Sequence, residues 1–243
     1  MKPVLVLEHQ TPEKLAYLGT WLNRHNIPYQ VYNAEIQKEF PAAINSYSAL
    51  AVMGGAMSAN DALYTNRQAE VLILQAMYKD IPVIGHCLGG QLMARALGAK
   101  INKSPAPEIG WQRINYADNA LSKEWFGENP TSKVIHWHYE SFDIPNDAVL
   151  VASSEACPNQ AFAIGQHLAM QFHIEIDETK IHWWVNDDDE KWQSSRQQYQ
   201  SVQSKDEILA EVRNNIAIHQ ATADHIYANW LKNTEYGYIF ENR

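Results

Sequence analysis

Cysteine is scarce in this chain, with only Cys87 and Cys157 among 243 residues. Two cysteines do not make the disulfide framework that staples small secreted domains, so we expect free thiols and a reducing compartment. The formal net charge is −9, and no basic block stands out along the sequence. This charge balance argues against nucleic acids and anionic membrane surfaces as partners.

Long apolar runs are also absent, since no stretch approaches the roughly 20 apolar residues that a membrane span requires. The first apolar run, residues 3–7, is too short for a signal peptide, and Glu8 interrupts it. We therefore expect a cytoplasmic protein. We find no repeat, linker or clear domain boundary, so residues 1–243 are predicted to form one domain with a helical C-terminal extension from about residue 178.

Apolar runs alternate with segments of helical spacing through the first hundred residues. Strands are predicted at residues 3–7, 29–32, 49–53 and 81–84, and helices around residues 15–22 and 69–77. A helix start is predicted at Thr11-Pro12-Glu13. This alternation indicates an α/β fold with a doubly wound, mostly parallel, flavodoxin-like sheet flanked by helices. Ligands bind such sheets beyond the carboxyl ends of the strands.

The pattern becomes β-rich after Gly98 and helical near the end. Short strands with turn residues between them predict antiparallel β-hairpins appended to the sheet, at residues 111–116, 134–136, 148–153, 160–165 and 168–172. An imperfect apolar stripe predicts a long helix over residues 206–230. The acidic run at residues 187–190 is interpreted as a solvated loop or helix start.

The most informative stretch is Gly85-His86-Cys87-Leu88-Gly89-Gly90-Gln91, which follows an apolar strand and precedes a helical pattern. A strand, a tight turn and a helix with a nucleophile at the apex form the elbow of Gly-x-Ser-x-Gly enzymes. Glycines two positions before and after the apex prevent steric collisions. The helix N-terminus favours a thiolate at Cys87. The competing interpretation is a small buried cysteine, but all parts of the pattern favour a nucleophile.

Two further segments complement this elbow. Adjacent glycines, Gly54-Gly55, follow a predicted strand, and their loop could supply one backbone donor to an oxyanion, with the Leu88 amide as the second. An ordinary flexible turn is the alternative. His173 and Glu175 follow another apolar strand and are expected to share its face, as a base and its orienting group.

The segment His136-Trp137-His138 has an unusual density of aromatic and histidine residues. Two alternating histidines suggest a metal site, but the sequence offers only a distant third ligand. We therefore interpret these histidines as pocket lining and predict no metal or other cofactor.

The Gly54-Gly55 loop, the Cys87 elbow and Gln171-Phe172-His173-Ile174-Glu175 resemble the class I glutamine amidotransferase family in order and spacing, over about residues 1–180. The match is closest to the stand-alone branch similar to the amidotransferase half of GMP synthase, whose relatives include γ-glutamyl peptidases. The resemblance implies cysteine-dependent hydrolysis or transfer of a γ-glutamyl amide through a thioester.

The resemblance also implies roles for individual residues. Cys87 would be the nucleophile, His173 the general base and acid, and Glu175 its orienting group. Gly55 and Leu88 would supply the oxyanion donors. The substrate would be held by the remaining positions carried over from the family, namely Gly54, Gln91, His138, Tyr139 and Glu140.

The chain departs from the family pattern at two places. Ile174 stands where proline is usual, and Tyr139-Glu140 replaces a common Gly-Asp pair, so Tyr139 is expected to narrow or reshape the pocket. Leu88 argues against the intracellular protease-like proteins, which carry histidine directly after the cysteine. Two alternatives stay open: a glutaminase subunit that delivers ammonia to a separate synthetase, and a catalytically silent binding subunit. The chain lacks a Gly-x4-Gly-Lys-Ser/Thr nucleotide-binding loop.

Overall fold

The computed structural model describes residues 1–10, 15–187 and 190–240. Ten strands form within them: β1 Val4–Glu8, β2 Tyr29–Asn33, β3 Ala49–Val52, β4 Val83–His86, β5 Ile101–Arg113, β6 Asn115–Tyr116, β7 Lys133–Phe142, β8 Val149–Ser153, β9 Ala161–Ile164 and β10 His167–Met170. The α-helices of the same residues are α1 Ala16–Arg24, α2 Ala34–Gln37, α3 Tyr64–Tyr78, α4 Leu88–Ala96, α5 Ala120–Phe126, α6 Glu178–Trp184, α7 Glu190–Arg196 and α8 Lys205–Leu231.

The main sheet has the strand order β2-β1-β3-β4-β10-β9-β8-β6. Its first five strands are mutually parallel. Their order corresponds to the 2-1-3-4-5 arrangement of flavodoxin-like folds, which confirms the predicted doubly wound sheet. Every residue of β1, β3, β4 and β10 is buried. Continuous apolar runs mark these strands in the sequence because helices cover both faces of the sheet.

Antiparallel strands complete the architecture. Strands β9, β8 and β6 extend the main sheet, and β5 pairs with β7 in a separate two-stranded sheet. The predicted hairpins are therefore present, but β5 begins ten residues before the predicted residue 111. Its first half is largely exposed and contains Pro105 and Pro107, which weaken the strand signal.

Two apolar layers pack on opposite faces of the main sheet. On one face, Trp21 of α1 and Tyr227 and Trp230 of α8 belong to a cluster with residues of β1 and β10. On the other face, Leu72 of α3 and Leu92 of α4 belong to a second cluster. These layers hold the central strands rigidly and fix the positions at which the strands end.

The segment after residue 177 is helical, and its long helix confirms the prediction over residues 206–230. A capping box starts α8, since Ser204 and Glu207 each bond the backbone of the other. A third apolar cluster joins β5 and β7 to these helices through residues such as Trp111, Trp192 and Val212. The division into one domain with an extension stays a prediction.

Some predictions fall on residues outside the described ranges. The helix start at Thr11-Pro12-Glu13 lies there, as do residues 188 and 189 of the acidic run. Of that run, Asp187 is exposed and Glu190 opens α7. Within the described ranges, no helix combines the length and apolar character needed to cross a membrane.

Candidate active site

Three neighbouring parallel strands, β3, β4 and β10, end at the same edge of the sheet. Gly54 follows β3, Cys87 follows β4, and His173 lies three residues beyond β10. A Cβ atom at Gly54 would lie 2.9 Å from Cε1 of His173 and 3.6 Å from Cβ of Cys87. The three predicted segments therefore meet at one point.

Cys87 occupies the apex of a sharp turn between β4 and α4. Its backbone has φ 50° and ψ −108°, a strained conformation for a residue with a side chain. The turn is tightly packed, because a Cβ at Gly89 would lie 2.0 Å from the carbonyl oxygen of Val52 and one at Gly85 2.6 Å from the backbone of Gly89. The predicted strand–turn–helix elbow is therefore present, with glycine required at both flanking positions, and the role of Cys87 as nucleophile stays a prediction.

The Cys87 thiol lies in a nearly closed environment, with the residue only 7% exposed. Its backbone N–H donates to the carbonyl of Met170 over 2.8 Å, which ties the elbow to β10. The side-chain amide of Gln171 lies 3.5 Å from Sγ, and the carbonyl oxygen of Trp137 lies 3.8 Å from it. The sulfur thus faces polar groups from two other elements.

His173 and Glu175 form a buried pair, with Nδ1 and Oε1 2.6 Å apart. The expectation that they share a strand face is wrong, because β10 ends at Met170. The irregular segment is held instead by backbone bonds: His173 N–H donates to Ile135, and the carbonyl of Glu175 accepts from Tyr17. The pair forms because this segment is anchored on both sides.

The electrostatics of the pair favour an imidazolium. Burial opposes a charge on His173, but the Glu175 carboxylate and the Cys87 sulfur outweigh it and raise the pKa of His173 to about 10. Burial likewise opposes a charge on Glu175, yet His173 and His86 hold the pKa of this carboxyl far below its usual range. At neutral pH, the arrangement favours a charged imidazolium between a carboxylate and the sulfur.

The predicted oxyanion donors lie together beside Cys87. Leu88 is the first residue of α4, so its N–H belongs to the four that have no acceptor within the helix. A Cβ at Gly55 would lie 2.9 Å from Cδ2 of Leu88, which places the two residues in contact. This geometry suits two backbone donors aimed at one atom, although their role stays a prediction.

A cavity of about 630 Å³ opens over Cys87. Its wall contains every predicted substrate-binding residue, namely Gly54, Gln91, His138, Tyr139 and Glu140. Gln91 Nε2 donates to the backbone carbonyl of Glu140 over 3.1 Å and to the side-chain oxygen of Gln171 over 3.2 Å. The Glu140 carboxylate accepts a 2.7 Å bond from the Ser58 hydroxyl.

The C-terminal helices contribute a further part of the wall of this cavity. Trp184 packs edge-on against the His173 ring, with centroids 4.8 Å apart. Lys191 of α7 places its ammonium 3.6 Å from the ring centre of Tyr139. The Tyr139 ring therefore packs against α7 in the wall of the cavity. Trp137 contacts both Trp184 and Trp192. Aromatic side chains of the extension therefore shape the space next to His173.

Sequence reasoning missed two residues and misplaced one. Gln171 contacts both Cys87 and Gln91, although nothing in its pattern distinguished it from its neighbours. Glu108, which the sequence analysis did not single out, lies opposite His138 in the β5–β7 pairing and close to both histidines. The lining role expected for both histidines holds for His138 only, because His136 is fully buried outside the cavity wall.

The comparison with family models decides what kind of protein this is. The model described as "Glutamine amidotransferase class-I" matches residues 16–183. The chain belongs to the class I glutamine amidotransferase family. The matched range includes the Cys87 elbow, the Gly54-Gly55 loop and the His173–Glu175 pair. The resemblance expected from the sequence motifs is thereby confirmed.

Several amidotransferase relatives resemble parts of the chain. A glutamine amidotransferase-like protein of Salmonella typhimurium, YfeJ, is 33% identical over 58% of this chain and 64% of its own length. A glutamine-hydrolysing GMP synthase subunit of Thermoplasma volcanium is 36% identical over 42% of this chain and 51% of its own. γ-Glutamyl peptidase 3 of Arabidopsis thaliana is 36% identical over 39% of this chain and 41% of its own length. The chain thus covers less than two thirds of each of these relatives.

A solved structure matches over nearly the whole chain. The crystal structure of a glutamine amidotransferase from Methylobacillus flagellatus has a TM-score of 0.89 and 35% identity, covering 97% of this chain and 96% of that one. A second amidotransferase structure, from Thermotoga maritima, has a TM-score of 0.82 at 24% identity and supports the fold alone. The likeness to the Methylobacillus structure therefore extends over the C-terminal helices.

Proposed function

We propose that this amidotransferase hydrolyses or transfers the γ-glutamyl group of glutamine or a γ-glutamyl compound through a thioester on Cys87. One observation carries the proposal: a strained cysteine elbow and the His173–Glu175 pair face the same cavity from adjacent strand ends. A nucleophile, a base and an orienting group in this arrangement are typical of covalent acyl transfer.

The first step is attack on the substrate. The Cys87 thiolate bonds to the γ-carbonyl carbon, and the carbonyl oxygen gains negative charge. The N–H groups of Gly55 and Leu88 would donate hydrogen bonds to this oxygen. Collapse of the intermediate breaks the carbon–nitrogen bond, and His173 gives its proton to the departing ammonia or amine.

The second step frees the enzyme. His173, now neutral, takes a proton from water or from an acceptor amine as that molecule attacks the thioester carbon. The carbon–sulfur bond breaks, and the thiolate of Cys87 is restored beside the imidazolium. Glu175 holds the ring through Nδ1, which leaves Nε2 for proton transfer. Among the described residues, this Nε2 has no hydrogen-bond partner of ordinary geometry.

The cavity has room for a γ-glutamyl compound larger than free glutamine. Its volume of about 630 Å³ lies in the range of pockets that enclose drug-sized ligands. Gln91, Glu140 and Ser58 would hold the amino-acid end, since they are joined by hydrogen bonds at one side of the wall. The leaving group would lie near Trp184 and Lys191, which also line the cavity.

Delivery of ammonia to a separate synthetase is a second candidate. It is supported by the likeness to a GMP synthase subunit, which by its name is one part of a larger enzyme. In that case free glutamine would be the substrate, and turnover would rise when the synthetase is added. A catalytically silent binding subunit is the third possibility, which the complete Cys87, His173 and Glu175 set argues against.

The experiment is a substrate screen with the purified protein. Glutamine and a series of γ-glutamyl dipeptides are incubated with wild type and with Cys87→Ala, and released glutamate and ammonia are measured. We expect wild-type turnover of at least one γ-glutamyl compound and none by the variant. Equal turnover by both proteins, or none by wild type across the series, would reject the proposal.

A further inference from the structure

A second group of chemically active side chains extends from His138 in the cavity wall into the protein behind it. Glu108 of β5 and His136 and His138 of β7 form what we name the β5–β7 cluster. One candidate ligand atom from each residue lies within 4.8 Å of the other two. The three residues are 1%, 0% and 3% exposed, so water does not solvate them freely.

The strand register explains why these side chains converge. Glu108 and His138 are direct partners in the antiparallel β5–β7 ladder, and His136 precedes His138 by two positions. Side chains two residues apart, and those directly across a ladder, share one face of a sheet. The cluster is therefore fixed by the backbone of two long strands, not by flexible loops.

The spacing between Glu108 and His138 suits two ligands of a tetrahedral cation. An oxygen of the Glu108 carboxylate lies 3.3 Å from Nε2 of His138. Two ligands bound to zinc at about 2.0–2.1 Å in tetrahedral geometry are roughly 3.3 Å apart. Two histidines and one carboxylate are also a donor set that zinc uses.

His136 supplies an independent observation. Among the described residues, neither of its ring nitrogens has a hydrogen-bond partner, although the ring is fully buried. Buried polar side chains nearly always have such a partner. A neutral imidazole ring offers one nitrogen lone pair, which is the group that a metal ion binds.

Hydrogen bonds alone account for only part of the cluster. The amide of Gln160 donates to Glu108, and the Ser104 hydroxyl lies 3.3 Å from Nδ1 of His138. An outer bond of this kind fixes the ring of a metal-binding histidine and directs its other nitrogen inward. None of these hydrogen bonds reaches the ring nitrogens of His136, so they do not explain why this ring is buried here.

A fourth ligand is available beside the cluster. Oxygen Oε1 of Gln160 has no hydrogen-bond partner among the described residues, and Nε2 of the same amide lies 3.4 Å from Nε2 of His138. A half-turn of the amide, which gives up the bond from Gln160 to Glu108, would bring this oxygen to the cluster, where a cation bound by both groups would replace that bond.

We propose that Glu108, His136 and His138 hold a divalent transition-metal cation of the zinc type. The cation joins β5 to β7 directly behind the segment that carries Tyr139 and Glu140 into the cavity. It therefore stabilises one wall of the substrate pocket. The proposal concerns a site separate from Cys87 and holds whether or not the protein hydrolyses γ-glutamyl compounds.

Zinc binding to the full chain tests the proposal. The measurement is made in a Cys87→Ala background, which removes a thiolate that could itself bind zinc beside His173. After loading with zinc chloride and gel filtration, metal content is determined by mass spectrometry, and affinity by competition with a chromophoric chelator. We expect one equivalent of zinc per chain. Loading with cobalt should give the visible absorption of a four-coordinate ion.

Variants distinguish the cluster from adventitious binding. His136→Asn and Glu108→Gln, each in that background, should weaken zinc binding by about 100-fold or more. His219→Asn is the matched control, because His219 is also fully buried with no hydrogen bond to its ring nitrogens among the described residues. It should bind zinc as the background does.

Two results would overturn the proposal. One is the absence of stoichiometric zinc or cobalt in the Cys87→Ala protein. The other is equal binding by His136→Asn, Glu108→Gln and His219→Asn, which would indicate an adventitious ion only. If both ligand variants fail to fold, the cobalt spectrum of the Cys87→Ala protein tests the proposal instead. The absorption of an octahedral ion rather than a four-coordinate one would contradict the proposed site.

Discussion

Nδ1 of His173 lies 2.6 Å from Oε1 of Glu175, although neither residue belongs to a regular strand. Both side chains are buried, and the carboxylate raises the pKa of the imidazole. The pairing fixes which ring nitrogen faces Glu175 and which remains for the substrate. Catalysis by Cys87 is expected to depend on this relationship.

Replacing Glu175 with glutamine should lower kcat/KM by about 10³-fold or more, because His173 loses the group that orients and charges it. The measurement is steady-state hydrolysis of the best substrate from the screen. Glu178→Gln is the control, since its carboxylate is 58% exposed and lies 3.8 Å from His182. Equal rates for the two variants would contradict the orienting role of Glu175.

The stability of the protein should depend on His173 in a defined pH range. The pKa of this group is raised from an ordinary value of 6.5 to about 10 in the folded state. Its stabilising contribution is therefore complete below pH 6.5 and is lost as the pH rises through 10.

Thermal midpoints of wild type and His173→Gln, measured from pH 6 to pH 10.5, check this dependence. The difference between the two should be largest at the acidic end of that range and should shrink as the pH rises. A difference that stays constant, or grows with pH, would show that His173 is not charged in the folded protein.

Gly89→Ala should destabilise the elbow because its Cβ would lie 2.0 Å from the carbonyl oxygen of Val52. We expect the free energy of unfolding to fall by about 3 kcal/mol. Gly98→Ala is the control: its φ is +86°, but its Cβ would meet no atom of the described residues within 4 Å. That variant should lose about 1 kcal/mol, and equal losses would refute the steric account.

Trp184→Leu should reduce kcat by about two- to tenfold, because the edge-on contact with the His173 ring disappears. Trp183→Leu serves for comparison, since Trp183 precedes it on the same helix and also lines the cavity, but is 43% exposed and has no ring contact with His173 among the described residues. A loss of kcat at Trp183 as large as that at Trp184 would mean that the contact does not hold the imidazole.

The sequence predicts the parts of this molecule that local rules control. The central parallel strands, such as β1 and β3, are continuous apolar runs because both faces of the sheet are covered there. The Cys87 elbow is readable because its glycines avoid backbone collisions that any side chain would cause. The long helix α8 is predicted from its apolar stripe, and the structure adds a capping box at its start. These features need no knowledge of distant contacts.

The remaining features depend on contacts between distant segments. Glu108 and His138 are 30 positions apart, and only the register of β5 against β7 places them side by side. Gln171 contacts the Cys87 sulfur only because β10 ends next to the elbow. Trp184 reaches His173 through the packing of a helix that the local pattern could not orient. Spacing along the chain does not encode such relationships.

Covalent labelling of the thiols tests the central claim most directly. A chloroketone analogue of glutamine is mixed with the protein, and intact-mass and peptide mass spectrometry locate the adduct, with Cys157→Ala as the matched variant. Cys157 is fully buried, and burial raises the pKa of its thiol. We predict rapid addition of one equivalent to Cys87, slowed by substrate and by His173→Gln. Labelling of Cys157 at the same rate, or no addition at Cys87, would contradict the assignment of Cys87 as the nucleophile.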